Sequence, residues 1–128
     1  MILLLNTSTP ICRLSLIDGD IRFDDDWQAD RTLARGLLNY ISTNLKKHDK
    51  TWSDISAIGA FEGPGSFTGL RIGLTVVNTI ADSQAIPIVG GRGDGWQEDV
   101  LEKIKAGQND QIVLPFYGSE AHITTPRK

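Results

Sequence analysis

The sequence predicts an α/β domain on a mixed sheet, with its elements in the order βββαβαβα. Three observations carry that prediction. Residues 2–27 hold three apolar or alternating runs separated by short polar turns, the pattern of a strand meander. From Arg31 onward, stretches of helical periodicity alternate with short apolar strands, which places helices against the sheet. Between the second half's first strand and its helix lies Gly63-Pro64-Gly65-Ser66, a tight turn ending in a helix cap.

Each element follows from its residues. Ile2 to Leu5 is a continuous apolar run, suited to a central strand covered on both faces, and Asn6-Thr7-Ser8-Thr9-Pro10 turns the chain. Ile11 to Ile17 alternates, with Cys12, Leu14 and Leu16 on one face and Arg13 and Ser15 on the other, and Asp18-Gly19 signals a hairpin. Ile21 to Trp27 is a third strand whose Asp24-Asp25-Asp26 suggests either a metal site or a solvated edge; neighbouring side chains on a strand point to opposite faces, which favours the edge. Arg31 to Lys47 repeats Leu33, Leu37, Tyr40 and Ile41 at helical spacing, with Leu38 and Leu45 widening the stripe. Ile55 to Phe61 reads as a buried strand, Ser66 to about Ser83 as a helix, and Ile86 to Val89 as a strand ended by Gly90-Gly91-Arg92-Gly93. A third helix spans roughly Trp96 to Ala106, with Gly107 as its stop. We therefore expect one lobe over residues 1–107 and a C-terminal tail over residues 108–128.

Composition narrows the function. Hydrophobic residues form 40% and charged residues 23% of the 128, a globular balance, and a net charge of -3 argues against an extensive nucleic-acid sleeve. The single cysteine, Cys12, excludes an internal disulfide and any cysteine zinc cluster; it reads as a small core residue, and a reducing cytoplasm is the expected compartment. The apolar start stops at Asn6, far short of a membrane span, so neither a leader nor membrane attachment is expected. His48 and His122 are the only histidines and read as surface residues, with no closely spaced pair for a metal and no Ser/His/Asp set.

The glycine turn is the natural place to look for chemistry. Gly63, Gly65, Ser66 and Thr68 could cradle an anion on backbone N–H groups at the helix start, or could simply form a tight turn with Ser66 as its cap. Two phosphate motifs fail here. A P-loop needs Lys followed by Ser or Thr where Phe67 and Thr68 stand, and Gly63, Gly65 and Gly69 are spaced one residue too widely for a dinucleotide fingerprint. The helix behind the turn is unusually apolar: Leu70, Leu74, Val77 and Ala81 form one row, and Ile72, Val76 and Ile80 another. Gly69 and Gly73, four apart, would admit another helix closely. We expect this helix and the one containing Leu33, Leu37 and Tyr40 to lie side by side and offer apolar surface to a protein partner.

The element order matches one lobe of the actin-like ATPase fold, also called the sugar kinase and Hsp70 fold. Ile2 to Thr9, Gly63 to Leu74 and Ile86 to Gly90 together resemble the bacterial tRNA threonylcarbamoyladenosine biosynthesis family TsaB, also known as YeaZ. Leu114 to Lys128 looks like a tail of that family. The resemblance implies a non-catalytic subunit without a cofactor. It implies pairing, through the two helices, with the catalytic paralogue TsaD, and action with the ATPase TsaE in transferring a threonylcarbamoyl group to the adenosine beside the anticodon of tRNAs reading codons that begin with A. Contact with tRNA would be indirect, and a homodimer through the same helices is expected without the partner. The glycoprotease-like label often attached to the family finds no support in these residues. Two departures stand out: Asn6 replaces the family's usual acid, and the family's second lobe is reduced to the residues after about Gly107. Both turn the expectation from nucleotide chemistry toward a scaffold role. The alternative is a small phosphate- or nucleotide-binding enzyme using Gly63 to Thr68.

Overall fold

The structure, a computed structural model, describes residues 1–117. Five strands form one mixed sheet: β1 (Ile2–Asn6), β2 (Ile11–Asp18), β3 (Ile21–Gln28), β4 (Ala57–Gly63) and β5 (Ile88–Arg92), in spatial order β3-β2-β1-β4-β5. The meander β1-β2-β3 is antiparallel, and β1-β4-β5 is parallel. Helices α1 (Leu33–Lys47), α2 (Phe67–Gln84) and α3 (Trp96–Lys105) complete the predicted order. This is the α/β architecture of the actin-like fold.

Alternation along the strands builds two cores. Leu3 and Leu5 of β1, Cys12, Leu14 and Leu16 of β2, and Ile58 and Ala60 of β4 face α1 and α2. Leu4, Phe61 and Val89 face the other way, against Trp96 and Val100 of α3. A Cβ on Gly59 would stand 2.8 Å from Val100 Cγ2, so the absence of a side chain lets α3 sit close to the sheet. The third helix therefore lies opposite the other two, and of their buried residues only Leu70 of α2 joins its core.

Strand ends differ from the sequence expectation around β5. The strand continues through Gly90 and Gly91 to Arg92 because its pairing with β4 runs on that far, and side chains there would strike Glu62 and Val100. Its outer edge is closed by the chain after α3. Ile88 N–H donates to Asn109 Oδ1 at 3.1 Å, Asp110 N–H donates to Ile88 O at 2.8 Å, and Gly90 N–H donates to Asp110 Oδ2 at 3.0 Å. From there the segment crosses to α2: Asn78 Nδ2 donates to Val113 O and Val113 N–H donates to Asn78 Oδ1, both at 2.9 Å, with Val113 buried. Phe116 N–H then donates to Glu62 O at 2.7 Å. The expected tail over residues 108–128 is thus described only to Tyr117, and its remainder, with His122, lies outside the described residues.

β3 is the opposite edge. Asp25 turns inward to accept from Tyr40 Oη at 2.6 Å, whereas Asp24 and Asp26 are exposed on the other face. Ser15 and Arg22 hydrogen-bond Asp24, holding its carboxyl below the usual range. Cys12 is buried in the core as expected, and burial, reinforced by Asp26 and Asp25, pushes its thiol up to about 12. His48 corrects the surface reading: it is half-buried, its ring stacked on Phe23 with centroids 3.6 Å apart. No helix among the described residues is long and apolar enough to cross a membrane.

Candidate partner-binding face

The strand-turn-helix unit places α2. After a cis Gly63–Pro64 peptide, Ser66 caps the helix by accepting Gly69 N–H on its hydroxyl at 3.2 Å. Ser66 N–H donates to Ser8 O at 2.8 Å, so the turn is fastened to the β1–β2 loop. Asn6 Oδ1 shapes that same loop by accepting Ser8 N–H at 2.9 Å. Of the residues considered for an anion, Ser66 therefore has both its amide and its hydroxyl engaged inside the chain, and Gly65 is packed against Ser8. Thr68 is exposed, and Gly63 is buried with φ +133°, where a Cβ would run into Phe116 O.

The glycine pair in α2 serves a different neighbour from the one expected. Cβ atoms at Gly69 and Gly73 would collide with Thr7 O and Thr7 Oγ1 respectively, and Thr7 Oγ1 donates to Gly69 O at 2.7 Å. The two glycines let α2 lie against the β1–β2 loop, and no second molecule is needed to account for them.

The apolar row offered to a partner needs the same correction. Leu33, Leu37, Leu70, Leu74, Val77 and Ala81 are all buried within the chain, with Leu37, Leu70 and Val77 fully inaccessible. Leu70 belongs to the α3 side of the molecule and the others to the core beneath α1 and α2. Tyr40 is half-buried, stacked on Trp27 with centroids 4.9 Å apart and tied to Asp25. An inward-facing row of this kind is what two helices need to cover a sheet.

What α2 leaves partly open is Ile72 and Val76 of the second row; Ile80, the third residue of that row, is buried. The two helices lie side by side, and the groove between them, about 440 Å³, is lined by Ala34 of α1 and by Thr68, Arg71, Ile72, Thr75 and Val76 of α2. A further hollow toward their C-terminal ends is bounded by Leu38, Asn39, Thr79 and Ile80. Leu38 is 55% exposed beside this hollow. The signal was present in the sequence as the Ile72, Val76, Ile80 row and as Leu38 off the main stripe. Among the described residues no cluster of three or more His, Cys, Asp or Glu side chains has metal-binding geometry.

Comparison with known proteins agrees with this architecture. Residues 27–90, half of the chain, match the family model described as TsaD, tRNA N6-adenosine threonylcarbamoyltransferase. The tRNA threonylcarbamoyladenosine biosynthesis protein TsaB of Buchnera aphidicola is 32% identical over 88 residues, covering 69% of this chain and 40% of that protein. TsaB of Escherichia coli is 30% identical over 90 residues, covering 70% and 38%. Among solved structures, YeaZ from Pseudomonas aeruginosa superposes with a TM-score of 0.68 at 27% identity over 77% of this chain and 49% of that one. The matched portion spans about two fifths of the length of these curated relatives.

Proposed function

The chain belongs to the TsaB (YeaZ) family, and on that premise we propose that it is a non-catalytic interaction subunit of the machinery that makes threonylcarbamoyladenosine in tRNA. Its partner in this reading is a TsaD-like paralogue, with a TsaE-like ATPase in the wider complex, tRNA met only indirectly, and a cytoplasmic setting.

The observation that carries the proposal is the outward face of α1 and α2. Two helices side by side in an actin-like lobe leave Leu38, Ile72 and Val76 wholly or partly open along two neighbouring hollows. A paralogue with the same lobe has a matching pair of helices to lay across them, giving helix-on-helix packing. The same logic allows a homodimer when the partner is absent. Burial of a face this size supplies affinity only if its centre is dry, which places weight on the aliphatic residues over the threonines.

Co-expression tests the reading. Tagged chain should retain TsaD from the same organism through size-exclusion chromatography as one complex, and Ile72→Asp should abolish that complex while the variant still elutes as a folded monomer. Elution of wild-type chain and TsaD as separate peaks at micromolar concentration would refute the pairing. The phosphate-binding alternative retains the exposed Thr68 but must contend with Ser66 already engaged; calorimetric binding of ATP by the isolated chain would favour it.

A further inference from the structure

On an acidic chain, the outward face of α1 and α2 is basic. Arg31, in the short 3-10 turn before α1, and Arg35, in the first turn of α1, are both exposed, and Arg71 is exposed in the first turns of α2. Arg71 and Ala34 line the same groove, and Arg31 lines its continuation with Thr68 and Ile72. The ion pairs found among the described residues use Arg13, Arg22, Arg92 and three lysines, and none involves these three arginines. Arg71 is instead laid over the Phe67 ring, 5.1 Å from its centroid. The acidic residues near this end are few: Asp30 borders the continuation of the groove and is engaged by Gln28.

We propose that Arg31, Arg35 and Arg71 form a guanidinium cluster that recognises carboxylates on the partner's helices, so that the docking face selects an apolar surface rimmed with Asp and Glu at one end. This rests on the pairing proposed above and names what chooses the partner. Guanidinium groups keep their charge at any physiological pH and bind carboxylates in a fixed fork, which suits them to fix orientation and register at the rim of an apolar patch. Arg35 lies in the first turn of α1, where a cation is disfavoured by the helix dipole, so an incoming anion also relieves that unfavourable placement. A protein surface is favoured over RNA because the groove between the arginines is floored by Ala34, Ile72 and Val76, side chains that a phosphate backbone would leave wet. A second copy docking through the same face brings the same arginines, and of the described residues lining the groove and its continuation only Asp30 is acidic, so the heteromeric pair is the electrostatically preferred one.

The test is the salt dependence of binding to TsaD from the same organism, by surface plasmon resonance between about 50 and 500 mM NaCl. Wild type should lose about tenfold in association rate across that range, and Arg31→Gln/Arg35→Gln/Arg71→Gln should start about tenfold slower and be nearly salt-independent. Lys105→Gln on α3, far from this face, should behave as wild type. Arg35→Glu should be worse than Arg35→Gln. Tight binding of TsaD with no salt dependence and no effect of the triple substitution overturns the arginine cluster and leaves the pairing intact. Absence of TsaD binding by wild type at every salt concentration overturns the pairing and this inference together. Retention of a fluorescent single-stranded RNA that the triple variant loses, without a change in TsaD binding, overturns the assignment to a protein partner.

Discussion

Gly73→Ala separates two accounts of α2 by sign. If the glycine were there for an approaching helix of another molecule, alanine in the isolated chain would gain about 1 kcal/mol of helix propensity. In this structure the new Cβ would instead meet Thr7, whose Cγ2 would be 2.7 Å and whose Cβ would be 2.9 Å away. Thr7 is buried at 3% exposure and its hydroxyl is committed to Gly69 O, so it cannot swing aside freely. Forcing it away costs about 1–3 kcal/mol for overpacking and about 1 kcal/mol for the hydrogen bond. The sum outweighs the helix gain by about 1–3 kcal/mol. Urea denaturation followed by circular dichroism should show the lower midpoint with an unchanged slope. Thr7→Ala in the same chain should restore part of the loss, so that the double variant is more stable than the two single effects predict. A Gly73→Ala chain as stable as wild type, or more so, would refute the seating of α2 on the β1–β2 loop.

Three further outcomes follow from the same structure. Leu74→Asp should unfold the chain, since it places an unpaired charge in the core at a cost of several kcal/mol, about 3 or more, whereas Leu38→Asp should change the melting temperature little; melts of equal midpoint would contradict the inward and outward assignments. Asn78→Ala removes both hydrogen bonds to Val113 and should cost about 2 kcal/mol while speeding hydrogen exchange at the Val113 amide; unchanged protection there would mean the segment after α3 is held by something else. Cys12 makes stability depend on alkaline pH. Its thiol is raised from 9.0 to about 12 by folding, so its contribution is whole below pH 9 and is lost as pH rises toward 12. Between pH 8 and pH 10 wild type should lose about 1 kcal/mol more than Cys12→Ala, and parallel losses would contradict the burial of the thiol.

Most of the fold was legible because the apolar pattern is itself the fold's cause. The unbroken Ile2 to Leu5 run became a strand covered on both faces, and the alternation of Cys12, Leu14 and Leu16 placed one side of β2 on the core. The candidate face was legible only in part. Apolar width in a helix says how much surface must be covered and is silent on what covers it; Leu74, Val77 and Ala81 proved to be covered by the chain's own sheet and α1, and Leu70 by the core on the α3 side. Gly69 and Gly73 show a four-residue spacing of small side chains, yet the atom they make room for belongs to Thr7, more than sixty residues earlier. His48 finds Phe23 across a helix, and Asn78 finds Val113 across a strand and a helix, pairings that no local pattern specifies. The weaker row of Ile72 and Val76, with Leu38 out of phase, was the informative signal, because a residue that breaks the inward stripe has to face something else.

The central claim is that the outward face of α1 and α2 binds a TsaD-like protein. Isothermal titration of that protein into wild type, Leu38→Asp and Val76→Asp addresses it most directly, with circular dichroism of each variant to establish folding. The account predicts saturable one-to-one binding by wild type and a loss of about a hundredfold or more in each folded variant. Wild-type affinity in both variants would contradict it.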